Sequence, residues 1–520
     1  MKTIWKAAAT LAALFAPGLA AAEWRAAETA HFIIYSESPD KQIERLATRL
    51  EAIDALMRMA TNISDDVEPV KVRIYEVETT EDVQKALGLT SSGVAGFYSS
   101  NALGPFAVTP RRTSFDSATF TPELVLHHEY AHHFMLQYFP AVYPGWYTEG
   151  FAELIGSSKI QADGKVAYGL PAKHRGNEIA AYWVSLEEVL LKPARQVRGL
   201  DRYAQGWAMT HYLTFAPERA GQLRRYLQAL SAGKSQAEAA QVFGDLRKLN
   251  REARLYVTRG TFPYKEVPVK IAQPVIQKIR PLSAGEAALI PETIAFSDDD
   301  LSAYRKEGAR ERERALRDAT LRRIRDKAAR FAADPFALNL LAEAEYAAGN
   351  HREAEAAAER LLALAPRHAR GMSLKSLSLA RAAGALAGPA RAAKAAEARK
   401  LALEANRADP DDTLPLFAFY QSYHLAGEKP SKAAVTALMQ VVETVPADTR
   451  ARQLLVDQLA ADGRWAAAIA FLQPIANSPH ESPQRTAAQE QMAKLVAALN
   501  ASRGTPAEAE EAEAEGPAAS

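Results

Sequence analysis

The chain contains no cysteine in its 520 residues. That absence excludes disulfides, thiolate-held metals, a nucleophilic thiol and the lipid-bearing cysteine of a lipoprotein, so any metal must be held by histidines and carboxylates. Nor is there an excess of charge: 63 Lys and Arg against 62 Asp and Glu leave a net +1. A surface built to neutralise many phosphates carries a basic surplus, so the balance argues against a nucleic-acid partner. Long apolar runs are missing too. Beyond the N-terminus no segment approaches the about 18 continuous apolar residues of a membrane span, so no integral membrane segment is expected once a leader is removed. Composition is otherwise that of a folded protein, 48% hydrophobic and 24% charged, and the length implies two or three domains.

The N-terminus has the pattern of an export signal. Lys2 and Lys6 precede a mostly apolar stretch over residues 7–19, and Ala20, Ala21 and Ala22 offer small residues for cleavage before Glu23. Residues 1–22 are therefore read as a signal peptide and the mature protein as periplasmic or secreted. Without cysteines in an oxidising compartment, packing must hold the fold, with or without help from a metal.

Residues 23–260 read as one α+β domain, strands first and helices afterwards. His31–Ser36 (HFIIYS) and Val70–Val77 (VKVRIYEV) look like strands, with an amphipathic helix at roughly 40–60 between them. Two aromatic and β-branched runs around an Asn-Ala-Leu-Gly turn predict a hairpin over 93–110; helical patterns follow at about 121–138, 146–157, 201–214 and 217–231. Residues 261–330 read as a connector, Pro-rich at first. Over 305–330 it carries eleven Lys or Arg and five Asp or Glu, which predicts a solvated helix laced with i,i+4 ion pairs.

Residues 331–500 carry a repeat. Pro335, Pro366, Pro410, Pro446 and Pro479 recur at intervals near the about thirty-four residues of a helix-turn-helix unit, with one longer interval. In LLAEAEYAAGNHREAEAAAERLLALAP, Ala342 and Ala354 sit where two helices approach, Gly349 opens the turn and Pro366 ends the unit; DGRWAAAIAFLQPIANSP, with Gly463 and Ala468, is a second copy. The stretch resembles tetratricopeptide repeats, which implies an all-α solenoid whose concave surface binds a protein partner or positions a polypeptide substrate. Residues 501–520, five Glu with Ala and Pro, are predicted to form a disordered acidic tail.

Four of the eleven histidines fall at 127, 128, 132 and 133. His128-Glu129-Tyr130-Ala131-His132 is HExxH, and the flanking Leu124, Val125, Phe134 and Met135 predict a largely buried helix. Residues i and i+4 stack on one helical face, so both imidazoles converge on one ion, while Glu129, about 100° around, reaches a ligand of that ion. After a Pro-containing loop, YPGWYTEGFAEL begins a second helix with Glu149 and Glu153 one turn apart. Catalytic zinc takes three protein ligands and an open position, and two His with one Glu is a standard set, so Glu149 is the expected third ligand. Glu153, on the same face, is placed to accept the Nδ1 proton of a metal histidine, His128. The swapped assignment, with Glu153 on the metal, stays open at this point. His127 and His133 point away from the ion's face and are read as packing or hydrogen-bonding residues.

HHEYAHHFM followed by GWYTEGFAELIGS resembles the gluzincin metallopeptidases, a group that includes thermolysin and the aminopeptidase N family, where HExxH precedes a helix of the form W-x-x-E-G-x-A. More narrowly, the chain is similar to bacterial exported proteins that join a peptidase-MA-like domain to C-terminal tetratricopeptide repeats. The resemblance implies a zincin-like fold over 23–260, Zn2+ on His128, His132 and Glu149, and Glu129 as general base. A metzincin needs histidine where this chain has Tyr138, and the GAMEN-type motif of the aminopeptidases is absent, which argues against an aminopeptidase. Gluzincins draw a further oxyanion donor from a downstream Tyr or His, for which Tyr203 and His211 are the candidates. The hairpin at 93–110 offers an edge strand to an extended substrate.

The activity these residues predict is that of an exported zinc-dependent endopeptidase. Two other readings fit the same residues: a non-catalytic envelope scaffold that works through its repeats, and a zinc amidase acting on a cell-wall peptide.

Overall fold

The computed structural model describes residues 23–64, 70–87, 94–101, 104–113, 119–139, 143–192, 199–297, 310–477 and 483–503. The expected signal peptide and the acidic tail from residue 504 onward lie outside the described residues. The strands are β1 (Arg25–Glu28), β2 (Phe32–Ser36), β3 (Val72–Thr79), β4 (Phe97–Asn101), β5 (Gly104–Arg112), β6 (Lys159–Ile160), β7 (Lys165–Tyr168), β8 (Lys265–Pro268) and β9 (Lys278–Pro281).

The larger sheet has the order β4-β5-β3-β2-β1-β9 and is mixed. β2 pairs with β3, and β3 with β5, in parallel; the other pairs are antiparallel. This corrects the α+β expectation towards an α/β arrangement. A parallel pair needs a crossover, and α1 (Asp40–Thr61) supplies it between β2 and β3. Its stripe of Ile43, Leu46, Ala47, Leu50, Ile53 and Met57 packs on Phe32, Ile34, Val72 and Ile74 of the sheet's inner face. After α2 (Thr80–Ala86) and the β4–β5 hairpin comes α3 (Pro122–Tyr138), beside α1 on that face. Its start is well specified: Pro122 stands in the first turn, and the Thr121 hydroxyl accepts the Leu124 N–H.

A helical lobe follows, made of α4 (Gly145–Gly156), α5 (Gly176–Ala181), α6 (Leu186–Leu191), α7 (Gly199–Phe215), α8 (Gln222–Ser231), α9 (Gln236–Ala240) and α10 (Leu246–Thr258). Its core joins Trp146, Leu186, Met209, Tyr226 and Leu249. α4 and α7 touch backbone to backbone. A Cβ on Gly150 would come within 2.2 Å of Gly206 O, and one on Gly206 within 2.4 Å of Trp146 O. Only glycine at both positions permits this crossing, and the crossing sets Glu149 of α4 beside the start of α7.

The Pro-rich part of the stretch read as a connector is partly extended and adds a strand to each sheet. β8 completes a small antiparallel sheet with β6 and β7, β9 extends the large sheet by pairing with β1, and α11 (Ala284–Ser297) covers the outer face. There Ile290 and Ile294 meet Tyr75, Val77, Phe106 and Val108. The charged helix α12 (Arg310–Arg330) packs one face, burying Ile324 and Ala328, and leaves Arg317, Asp318, Arg322 and Arg330 exposed as expected. Its ion pairs reach neighbouring helices: Arg323 and Lys327 bind Glu292, and Arg325 binds Glu345.

The rest is all-helical and consistent with a tetratricopeptide-type solenoid. Helix pairs α13 (Pro335–Ala347) and α14 (His351–Leu364), α15 (Ala369–Gly384) and α16 (Gly388–Ala408), α17 (Thr413–His424) and α18 (Lys432–Thr444), and α19 (Thr449–Ala461) and α20 (Trp465–Ala476) precede α21 (Pro483–Arg503). Asp334, Asp412, Ser431 and Asp448 cap the first helix of three pairs and the second of one, each accepting backbone N–H groups. Ala342, Ala358, Ala402 and Ala418 are fully buried, so the helices approach closely. The long 367–410 unit is accommodated by α16, which has 21 residues. Among the described residues no helix is long and apolar enough to cross a membrane.

Candidate metal centre

α3 and α4 bring His128, His132 and Glu149 to one point. His128 Nε2 lies 3.2 Å from His132 Nε2, and Glu149 Oε2 lies 3.4 Å and 3.7 Å from those two nitrogens. Ligands bound tetrahedrally at about 2.0–2.2 Å stand about 3.3–3.6 Å apart, so the three atoms have close to the spacing of one shared cation. Glu149 Oε2 is buried without a hydrogen-bond partner, which leaves a lone pair aimed between the imidazoles.

The charge of the site fits a cation as well. Burial works against charge on His128, but the Glu149 carboxylate 3.4 Å away and the fields of Glu153 and Glu129 outweigh it and raise its pKa to about 9. A place that holds an imidazole proton so firmly is one that attracts positive charge, and a divalent ion competes for it. His132, lowered to about 4 chiefly by burial, is neutral and ready to ligate. Glu129 is raised to about 7, first by burial, then by the Glu149 and Glu153 charges, against the pull of His128. The chain before β4 passes beside it: a Cβ on Gly96 would sit 3.3 Å from Glu129 Cγ and 2.5 Å from Val125 Cγ1.

Glu153 is near His128 but serves other partners first. Its Oε1 lies 3.7 Å from His128 Nδ1, whereas His174 Nε2 stands 2.5 Å from Oε2 and Arg175 Nη2 donates to Oε1 at 2.7 Å. Burial opposes its charge, yet the His174 hydrogen bond and the fields of His128 and Arg175 bring its pKa down to about 2. Glu153 therefore links His128 electrostatically to a His174–Arg175 pair instead of bonding it closely. It is not in the triangle formed by His128, His132 and Glu149.

Tyr203 and His211 separate. The Tyr203 ring stacks on His128 with centroids 5.9 Å apart, and the Arg175 guanidinium lies 4.8 Å from the Tyr203 ring centroid as a cation–π partner. Burial and the Glu149 and Glu129 charges push the Tyr203 pKa up, so the phenol stays protonated. His211 does not reach the site. It is fully buried, donating from Nε2 to Gly169 O at 2.8 Å and accepting the Tyr256 hydroxyl at 2.9 Å, among Trp207, Phe215 and Phe262. Its expected role as an oxyanion donor is corrected to that of a satisfied core histidine. His127 and His133 are buried, His133 Nδ1 lying 3.1 Å from Tyr98 Oη.

His174 and Arg175 were not legible in the sequence, since KHR carries no periodic or motif signal. The same holds for a second cluster, His31, Glu51 and Asp54. Its lone pairs are taken by protein donors: Glu51 accepts the His31 N–H and stands 2.7 Å from Nδ1, while Asp54 accepts from Arg58 Nε and Tyr130 Oη. Tyr130 belongs to the HExxH helix, and Arg58 also donates to Tyr138 at its end. This network anchors α3 to α1.

No family model matches the chain, and no curated protein matches it. Among solved structures, a thermophilic tetratricopeptide protein of Thermus thermophilus is similar at 20% identity and a TM-score of 0.30, covering 36% of this chain and 95% of its own.

Proposed function

We propose that the protein is an exported zinc peptidase of gluzincin type, cleaving within peptide chains, with a repeat solenoid that binds a protein partner or the substrate. The observation that supports this most is the triangle of His128, His132 and Glu149, with Glu129 beside it. Zinc, when bound by those three side chains, supplies Lewis acidity that acidifies a water and polarises the scissile carbonyl.

The chain's own groups do the rest. Glu129, with a pKa near neutrality, accepts a proton from the attacking water and passes it to the leaving amine. Tyr203, kept protonated, donates a hydrogen bond to the developing oxyanion. Glu153, held by His174 and Arg175, keeps a negative charge behind His128. β4 is the edge strand of the sheet, next to Glu129, and accepts an extended peptide by strand addition.

The test is metal content and cleavage of a broad peptide library by the wild type and Glu129→Gln. Zinc in both proteins with cleavage by the wild type alone supports the reading. Zinc in both with no cleavage by either transfers it to the scaffold.

A further inference from the structure

Parallel pairing decides where helix ends collect. β2, β3 and β5 run the same way, so α1 and α3, the helices that come after β2 and β5, both start at the carboxyl edge of those strands and lie on the inner face. Sheets with parallel strands bind their ligands at that edge. Here a pocket of about 290 Å³ opens there, between the N-terminal parts of α1 and α3 and the C-terminal parts of β3 and β5. Its size is at the low end for ligand pockets and suits one small ion with a few waters.

The wall of this pocket is rich in donors. Arg45 and Arg49 of α1, Arg111 of β5 and the Thr109 hydroxyl line it, and the positive N-terminal end of α3 opens on it. Thr109 is 2% exposed, and its Oγ1 is buried without a hydrogen-bond partner. Arg111 donates from Nη1 to Glu78 at 2.7 Å, but its Nε and Nη2 are buried and make no hydrogen bond. Arg45 makes no ion pair among the described residues. Two carboxylates share the wall: Glu76, whose Oε2 lies 3.5 Å from Arg111 Nε, and Glu123, whose Oε1 lies 3.3 Å from Arg49 Nε. Three guanidiniums against two carboxylates leave an excess positive charge, to which the helix end adds. An oxyanion that only accepts hydrogen bonds meets repulsion from the two acids; one that also carries an O–H satisfies both kinds of wall.

We propose that this pocket binds hydrogen phosphate. Its bare oxygens accept from Arg45, Arg49, Arg111 and Thr109, and its P–OH donates to Glu76, whose side chain is 12% exposed against 33% for Glu123. Sulfate has the same shape but keeps no proton at neutral pH, so it lacks the donor that the acid calls for. The site is separate from the metal triangle. Leu126 lines the pocket, and His128, two residues on, is turned about 200° from it around α3. The anion therefore sits across the helix from the metal ligands, and its binding is independent of peptidase activity.

The test is isothermal titration calorimetry of inorganic phosphate and of sulfate, at neutral pH, into the full chain with zinc added, comparing the wild type with Arg45→Gln and Thr109→Val. One saturable phosphate site per chain is expected, with sulfate weaker by at least about tenfold. Arg45→Gln should weaken phosphate by about 10–100-fold, because a charge-assisted bond is lost, and Thr109→Val by about 2–10-fold. Arg45 is exposed, so its replacement leaves the fold intact, which circular dichroism checks. Absence of saturation by phosphate, equal affinity for sulfate, or an affinity that either substitution leaves unchanged overturns the site. Phosphate binding that survives both substitutions and disappears in His128→Ala is held by the metal and overturns it too.

Discussion

The two halves of the molecule bury charge in different ways. In the N-terminal half, buried ionisable groups converge: His128, Glu153, His174 and Arg175 surround one point, and Asp54, Arg58 and His31 tie the helix that carries it. Towards and within the repeat half they form local ties between neighbouring helices, such as Arg370 of α15 with the α17 cap Asp412 and Arg325 of α12 with Glu345 of α13, around cores made largely of Ala and Leu. Convergent burial is costly, and in the proposed function a bound cation offsets it. Distributed pairs hold a stack together and ask for no ligand.

Substitutions should separate the halves accordingly. The largest effect belongs to Glu129→Gln, expected to lower kcat/KM for peptide cleavage by about 10²–10⁴-fold, with zinc stoichiometry unchanged by mass spectrometry. Equal loss of metal would instead make Glu129 a ligand. Next, Glu153→Gln removes the charge behind His128 and should weaken zinc binding by about 10–100-fold in a chelator competition, while Leu455→Ala in the solenoid leaves that affinity alone. The Leu455 change is expected to cost about 2–5 kcal/mol, read as a loss in urea-induced unfolding, because the side chain is fully buried. Gly150→Ala should cost about 1–3 kcal/mol or more, since its methyl would meet backbone, and it should disturb the metal site as well; wild-type zinc affinity in that variant would argue that the α4–α7 crossing does not position Glu149.

The smallest effect concerns pH. His31 is raised, burial opposing its charge but Glu51 and Asp54 prevailing, and Glu51 is lowered, against its own burial, by the His31 hydrogen bond. The histidine's contribution is complete below its unfolded pKa and fades as pH rises through the raised value; the carboxylate's is complete above its unfolded pKa and fades as pH falls through the lowered one. The pair is therefore strongest between about pH 4.3 and 6.5. His31→Gln should lose more stability to urea at about pH 5.5 than at about pH 8.5; an equal loss at both would remove the charged pair from the account.

Much of this was legible in the sequence, for identifiable reasons. HExxH on an apolar helix is a local pattern, and the 3.6-residue period alone stacks His128 over His132; Glu149, one loop later, was expected from the ligand set that such a pair needs. Thr121 and Pro122 mark the helix start in the same local way. What depended on distant chain was not legible. β9 joins β1 across the whole domain, His174 finds Glu153 through the α4 packing, and the glycines Gly150 and Gly206 show their purpose only when two helices cross. His211 misled because position on a helix near Tyr203 says nothing of which face is turned to the metal site; Tyr256 and Gly169 already use both its nitrogens. For α12 the charge pattern predicts pairs along the helix itself, but Arg323, Lys327 and Arg325 reach Glu292 and Glu345 on other helices.

The most direct measurement is equilibrium zinc binding to the purified full chain, comparing the wild type with His128→Ala, His132→Ala and Glu149→Ala. Tight binding of one ion per chain, lost in both histidine variants and weakened in Glu149→Ala, is the predicted result. Wild-type affinity after removal of Glu149, or tight binding that survives the loss of both histidines, would contradict the assignment of a metal to these three side chains.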